Sequence, residues 1–176
     1  MAIECYDKVI ELESKEFNFS DYTLVALIKK GISIAELQMY EEAIELYDKA
    51  IEFDHDGKYR KRTVEAWTEK GIALEMLGRL EKAYDCYEAA IMQDPYGLNP
   101  YATGEAYKRK GSLLANKEMH KEAIECFAKA IKIFSWHQIY GCAQALLLRG
   151  ISFDAMGRFH ESILCYDKAI EKFSRF

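Results

Sequence analysis

Residues 67–95 read WTEKGIALEMLGRLEKAYDCYEAAIMQDP. Gly71, Ala83, Tyr87 and Ala90 define a spacing that recurs along the chain. The glycine returns as Gly31, Gly111 and Gly150, at intervals of 40, 40 and 39 residues. Twelve residues after each glycine stands a small residue, Ala43, Ala83, Ala123 or Ser162. Four further on comes an aromatic, Tyr47, Tyr87, Phe127 or Tyr166, and three beyond that Ala50, Ala90, Ala130 or Ala169. A fixed period of this length marks an array of stacked supersecondary units.

Each period holds two amphipathic helical patterns. Trp67 and Leu74, or Tyr107 and Leu114, lie four before and three after the glycine and share one face of a first helix. In the second helix, Ala43, Tyr47, Ala50 and Ile51 follow i, i+4, i+7 and i+8. The short links MLGRL and MGRF predict that the two helices of a pair run antiparallel. A glycine inside a helix costs about 1 kcal/mol relative to alanine. Its return in every repeat therefore predicts close approach of the second helix, with the large aromatic seated against it. One helix pair cannot bury its stripe alone, so neighbouring pairs must stack.

Trp67, Gly71, Leu74, Ala83, Tyr87, Ala90 and Pro95 meet the pattern of the tetratricopeptide repeat, and the chain resembles that family in its longer variety, with about 40 residues per repeat. HEAT and armadillo arrays have a similar period but lack this spacing. The resemblance implies an all-α, right-handed α–α superhelix, a solenoid of helix pairs. The expected organisation is a single domain over residues 1–176. A lone second helix occupies 1–14, where MAIECYDKVIELE repeats the second-helix pattern, and full repeats follow at 21–54, 59–94, 100–134 and 139–174. Tyr166, Ile170, Phe173 and Phe176 on the last helix have nothing after them, which predicts exposed apolar surface. Three readings of the ends stay open: a segment of a longer repeat protein, pairing of the ends in a homo-oligomer, or exposure tolerated in a monomer.

The resemblance also implies a partner site. In the family, first helices line a concave groove from positions three before and one and five after the glycine. Here these are Ile28, Ile32 and Glu36; Thr68, Ile72 and Met76; Lys108, Ser112 and Asn116; and Leu147, Ile151 and Ala155. Lys29, Glu69, Arg109 and Leu148 flank them. Some family members clamp the C-terminal carboxylate of a chaperone tail with lysine, asparagine and arginine at set groove positions. One register places Ile28, Ile32, Glu69, Glu105 and Arg109 there, and the next places Thr68, Ile72, Arg109, Gln144 and Leu148. Neither makes the clamp, so chaperone tails are disfavoured. Apolar ends around a more polar middle suit an extended or helical segment with hydrophobic anchors. Some of these side chains are expected to fill gaps between helices instead. The expected function is a noncatalytic protein-interaction scaffold. The alternative is a self-assembly module that pairs through Tyr6, Ile10, Ile170, Phe173 and Phe176.

One departure from the pattern is a basic residue before every repeat glycine: Lys30, Lys70, Lys110 and Arg149. Its stem can lie on apolar surface while its charge reaches outward. Second-helix acids such as Asp48, Glu88 and Asp167 are the expected counter-charges, and a ligand-facing basic row is the alternative.

Composition narrows the function further. Half the 176 residues are hydrophobic and glycine and proline number ten and two, so the chain is expected to fold throughout. A net charge of −5 and a pI near 5.5 argue against a dedicated nucleic-acid binder. The basic run KYRKR at 58–62 is short and sits beside Asp54 and Asp56, as a solvated loop or helix start. No apolar stretch approaches the roughly 20 residues that cross a bilayer. The charged N-terminus is not a secretory signal, and a cytoplasmic location is expected.

Cys5, Cys86, Cys126 and Cys165 share one rung with Leu46, as small buried hydrophobes would. Cys142 stands outside that ladder, on a helix entrance; it is the candidate among the five for a reactive thiol, with a structural role the favoured reading. His120 falls where other repeats have Tyr40, Leu80 and Phe159, which suggests packing at the turn. Metal-ligand spacings, P-loops and nucleophile motifs are missing from the sequence, so neither metal, cofactor nor catalysis is expected.

Overall fold

The computed structural model describes residues 4–8, 10, 21–54, 56–134 and 138–174. They form helices joined by turns and loops, with no strand among them. The chain divides into two compact units, Met1–Asp94 and Pro95–Phe176. Unit one holds α1 (Asp21–Glu36), α2 (Tyr40–Phe53), α3 (Arg60–Met76) and α4 (Leu80–Gln93), with residues 4–8 and 10 helical ahead of them. Unit two holds α5 (Pro100–Asn116), α6 (His120–Ile133), α7 (Ile139–Ala155) and α8 (Phe159–Phe173). Within each unit every helix packs on the next. The two first helices also meet, α1 with α3 and α5 with α7.

Each pair reverses through the same turn. In the pair α3–α4, Gly78 takes a left-handed φ of 72°, its N–H donates to Glu75 O at 2.9 Å, and the Arg79 N–H donates to Leu74 O at 2.9 Å. This six-to-one closure satisfies the last carbonyls of the first helix before the second begins. Gln38 and Glu118 make the same turn at φ 64° and 61° without being glycine. The helical hairpin is thus imposed by packing on both sides as much as by turn chemistry.

The repeat glycines touch the repeat aromatics. A Cβ on Gly71 would lie 2.5 Å from Tyr87 Cε1, one on Gly31 equally close to Tyr47 Cε1, and one on Gly111 2.7 Å from Phe127 Cε1. Gly150 stands in the same relation to Tyr166. Tyr47, Tyr87 and Phe127 are fully buried, as are Ala43, Ala83, Ala123, Ala50, Ala90 and Ala130. Small residues on both helices bring the backbones together, and the ring fills the remaining space.

The end of the second helix is built in two ways. After α2, buried Asp54 accepts the Tyr59 N–H at 2.7 Å and the Thr63 hydroxyl, which holds the loop against the start of α3. After α6 the same position is Phe134, whose ring is enclosed by Gly104 of α5 and Gly141 of α7. The residue in the register of Thr63 is Cys142, buried in one apolar cluster with Phe134. An acid with a hydroxyl has been exchanged for a ring with small neighbours, each pairing complete in itself. The run KYRKR lies at a helix start, with Tyr59 capping α3 and Arg62 paired to Asp21 of α1 at 3.0 Å. No described helix is long and apolar enough to cross a membrane.

Candidate partner-binding surface

The first helices carry the expected contact residues, and burial divides them. In unit one, Ile28 and Thr68 are fully buried, and the Thr68 hydroxyl donates to Val64 O at 2.9 Å. Both fill the space between helices, which corrects their reading as partner contacts. Ile32 and Ile72 are half-buried and Glu36 is exposed. Met76 leaves 59% of its surface in solvent.

In unit two, Leu147 and Ile151 are 46% and 51% exposed, one turn apart on α7. Asn116 and Ala155 are exposed, and Ser112 is half-buried with its hydroxyl turned back onto Lys108 O at 3.1 Å. Lys108 is buried, a second correction. Its ammonium donates to Glu105 Oε2 and to Gln144 Oε1, each at 2.7 Å, while Arg109 Nε donates to Glu105 Oε1 at 2.8 Å. The polar middle read from the sequence is therefore largely occupied. Glu105 is itself buried between two cations, and the Lys108–Gln144 bond ties α5 to α7.

Unit one has a related tie, from Lys29 Nζ to Glu65 Oε1 at 2.8 Å between α1 and α3. Glu65, Glu105 and Gln144 were not singled out as binding partners of these cations. The legible signal was an offset: 36 residues separate Lys29 from Glu65 and Lys108 from Gln144.

The opposite side of unit one holds a cavity of about 400 Å³ between α2, α3 and α4. Ile44, Trp67, Leu74 and Cys86 form its apolar wall, and the Lys70–Asp48 ion pair lies on it. The Lys70 ammonium also sits 5.3 Å from the Trp67 ring centroid. Lys30 pairs with Asp7 in the same register. The cation before the glycine thus meets the acid that follows the aromatic of the preceding second helix.

The cysteine rung is buried at Cys86, Cys126 and Cys165, whereas Cys5 is exposed. Burial pushes the Cys86 thiol up to about 11. Cys142 is buried as well, and burial raises its thiol, as a structural cysteine's would be. His120 opens α6 at the turn with its Nδ1 buried. Among the described residues no group of three metal-ligating side chains comes together.

The models of a single family, the tetratricopeptide repeat, match residues 26–56, 64–96, 104–135 and 144–175, so that each helix pair falls on one match. The chain belongs to the tetratricopeptide repeat family. Its all-α repeat fold is that of solved members and neighbours. MamA superposes with a TM-score of 0.69 at 23% identity, over 98% of this chain and 87% of that one. BtubC from P. vanneervenii superposes at 0.74 and 15% identity, over 88% and 65%. The Rap conjugation gene regulator of plasmid pLS20, solved in complex with the Phr* peptide, superposes at 0.73 and 20% identity. This tetratricopeptide chain is covered over 99% of its length and spans 48% of the regulator. No curated protein sequence is close enough to count as a relative. As a tetratricopeptide array, the chain is a protein-interaction scaffold.

Proposed function

We propose that this tetratricopeptide protein is a noncatalytic cytoplasmic scaffold that holds an extended or helical segment of a partner on its first-helix faces. The observation that carries this reading is the pair Leu147 and Ile151, about half-exposed at i and i+4 on α7. Apolar side chains left in water one turn apart are what the hydrophobic anchors of a docked segment would cover. Ile32 and Ile72 hold the position of Ile151 in unit one and Met76 that of Ala155, with Glu36 there and Arg109, Ser112 and Asn116 in unit two as polar neighbours. The peptide complex of the Rap regulator is support from a chain of the same fold.

The test is affinity capture with wild-type protein beside an Ile32→Glu/Leu147→Glu/Ile151→Glu variant whose circular dichroism is unchanged. A partner kept by the wild type and lost by the variant supports the reading. Equal recovery by both refutes it.

A second reading, self-assembly, is favoured by α8, where Ile170 and Phe173 are 64% and 47% exposed. The Phe173 ring meets Tyr140 edge-on at 6.0 Å. Tyr6 and Ile10 offer less, since both are partly buried and Ile10 packs against the unit-one core. Phe176 lies outside the described residues. A molar mass that rises with concentration, abolished by Phe173→Glu but not by Leu147→Glu, would establish this reading in place of the first.

A further inference from the structure

In at least two of the repeats the cation before the glycine is met by an acid. Lys30 pairs with Asp7, and Lys70 with Asp48. Both acids follow directly on the aromatic of the preceding second helix. On α6 that aromatic is Phe127, and the residue after it is Ala128.

The cation that would use it is Arg149 of α7. It makes no ion pair with any described residue, and its Nε is buried with no hydrogen-bond partner. The rest of the side chain is only half-buried. Its guanidinium lies 5.4 Å from the Phe153 ring centroid, and the Arg158 guanidinium lies 4.7 Å from the same ring. Arg158 is already held by Glu161, Nε to Oε1 at 2.9 Å. Ile124, Phe153 and Cys165 form the apolar floor, with Met156 against them. The fold thus repeats the cationic half of its internal pair and omits the anionic half.

We propose that Arg149 is a recognition site for an acidic side chain of a partner protein, an aspartate or glutamate that takes the place Asp48 takes beside Lys70. A guanidinium backed by an aromatic ring favours a planar carboxylate, which it can bind through two parallel N–H donors. Leu164, next to Cys165 on α8, is about half-exposed and supplies apolar surface for the residue beside the acid. The site lies on the second-helix side of unit two, away from Leu147 and Ile151, and does not depend on the first-helix reading.

The experiment follows the Arg149 Nε–H cross-peak in the ¹⁵N spectrum of the full chain. Three probes are titrated: acetyl-Leu-Glu-Leu-amide, its glutamine counterpart, and inorganic phosphate. The glutamate peptide should move the peak saturably in the millimolar range, and the glutamine peptide should bind about tenfold more weakly or not at all. Ala128→Asp should abolish the shift by supplying the acid internally. Should that variant misfold, Arg149→Gln must remove the thermal stabilisation that the glutamate peptide gives the wild type. Equal shifts with glutamate and glutamine peptides, or no shift with either, overturn the proposal. So does a phosphate response as strong as that of the glutamate peptide, which would make the site a general anion site.

Discussion

The Tyr87 hydroxyl donates to Glu75 Oε2 at 2.8 Å, twelve residues back in the same helix pair. Tyr166 donates to Asp154 Oδ2 at 2.6 Å across the same interval. In the third repeat the two positions are Phe127 and Ala115, an apolar pair. The first repeat mixes the solutions: Tyr47 stands with Ala35, and its hydroxyl is buried with no partner.

Tyr47→Phe should therefore be neutral or stabilising. Leaving a buried polar group unsatisfied costs about 1–3 kcal/mol, and the substitution removes that group without removing the ring. Tyr87→Phe should destabilise by about 1 kcal/mol, because it breaks a made hydrogen bond. Urea titrations of both variants compare them, and a larger loss for Tyr47→Phe than for Tyr87→Phe would contradict the assignment.

Gly71→Ala places a methyl 2.5 Å from the Tyr87 ring. Helix propensity alone would favour alanine by about 1 kcal/mol, but overpacking costs typically 1–3 kcal/mol and should dominate against a fully buried ring. Measured by thermal melting, the variant should be less stable than wild type. Adding Tyr87→Leu should narrow the gap between glycine and alanine, since the obstructing ring is gone.

Gln38→Gly and Glu118→Gly should each raise stability by up to about 1 kcal/mol, because both residues hold left-handed φ values that glycine adopts without a Cβ penalty. Gly78→Ala should do the reverse, although nothing lies within 4 Å of the added carbon. A change of the opposite sign at either position would show that packing, not φ, governs the turn.

Stability should decline at both extremes of pH. The Ser162 and Tyr166 hydroxyls hold the Asp154 carboxyl below its usual value. Its contribution is present above the unfolded value of about 3.9 and is lost as pH falls through that value toward the lower folded one. Asp154→Asn should flatten this acid limb. At the alkaline end, hydrogen bonding to Asp154 pushes Tyr166 up to about 12, and burial pushes Tyr47 higher still. Unfolded tyrosine ionises near pH 10, so stability present below about 10 is lost as pH rises further. Chemical denaturation across the pH range should show a shallower alkaline decline in Tyr47→Phe.

Thiol labelling should rank the cysteines by exposure. Cys5 is open, whereas burial raises the thiols of Cys86, Cys142 and Cys165. Iodoacetamide at about pH 8 should modify Cys5 first, with the buried four reacting only as fast as the chain opens. Early modification of Cys142 mapped by mass spectrometry would count against its buried placement.

The parts of the fold legible in the sequence were those that recur. Gly71 with Tyr87, and Ala83 with Ala90, could be read because four copies of one packing solution report the same constraint. Lys70 with Asp48 was legible as a class of contact, whereas the absence of an acid beside Arg149 emerged only from the register of neighbouring helices. Ile28, Thr68 and Lys108 looked like surface residues because a helical position names a face and not its depth.

The sequence by itself determined the helix pairs, their period, the family and the rung of small residues, since these depend on local periodicity and on spacing within one hairpin. Only the tertiary structure decided which first-helix side chains reach solvent and which of Asp54 or Phe134 closes a repeat. It alone showed where a charge lacks its partner. Those outcomes depend on the depth and register at which separate helices meet, and that is set by packing between residues tens of positions apart in the chain.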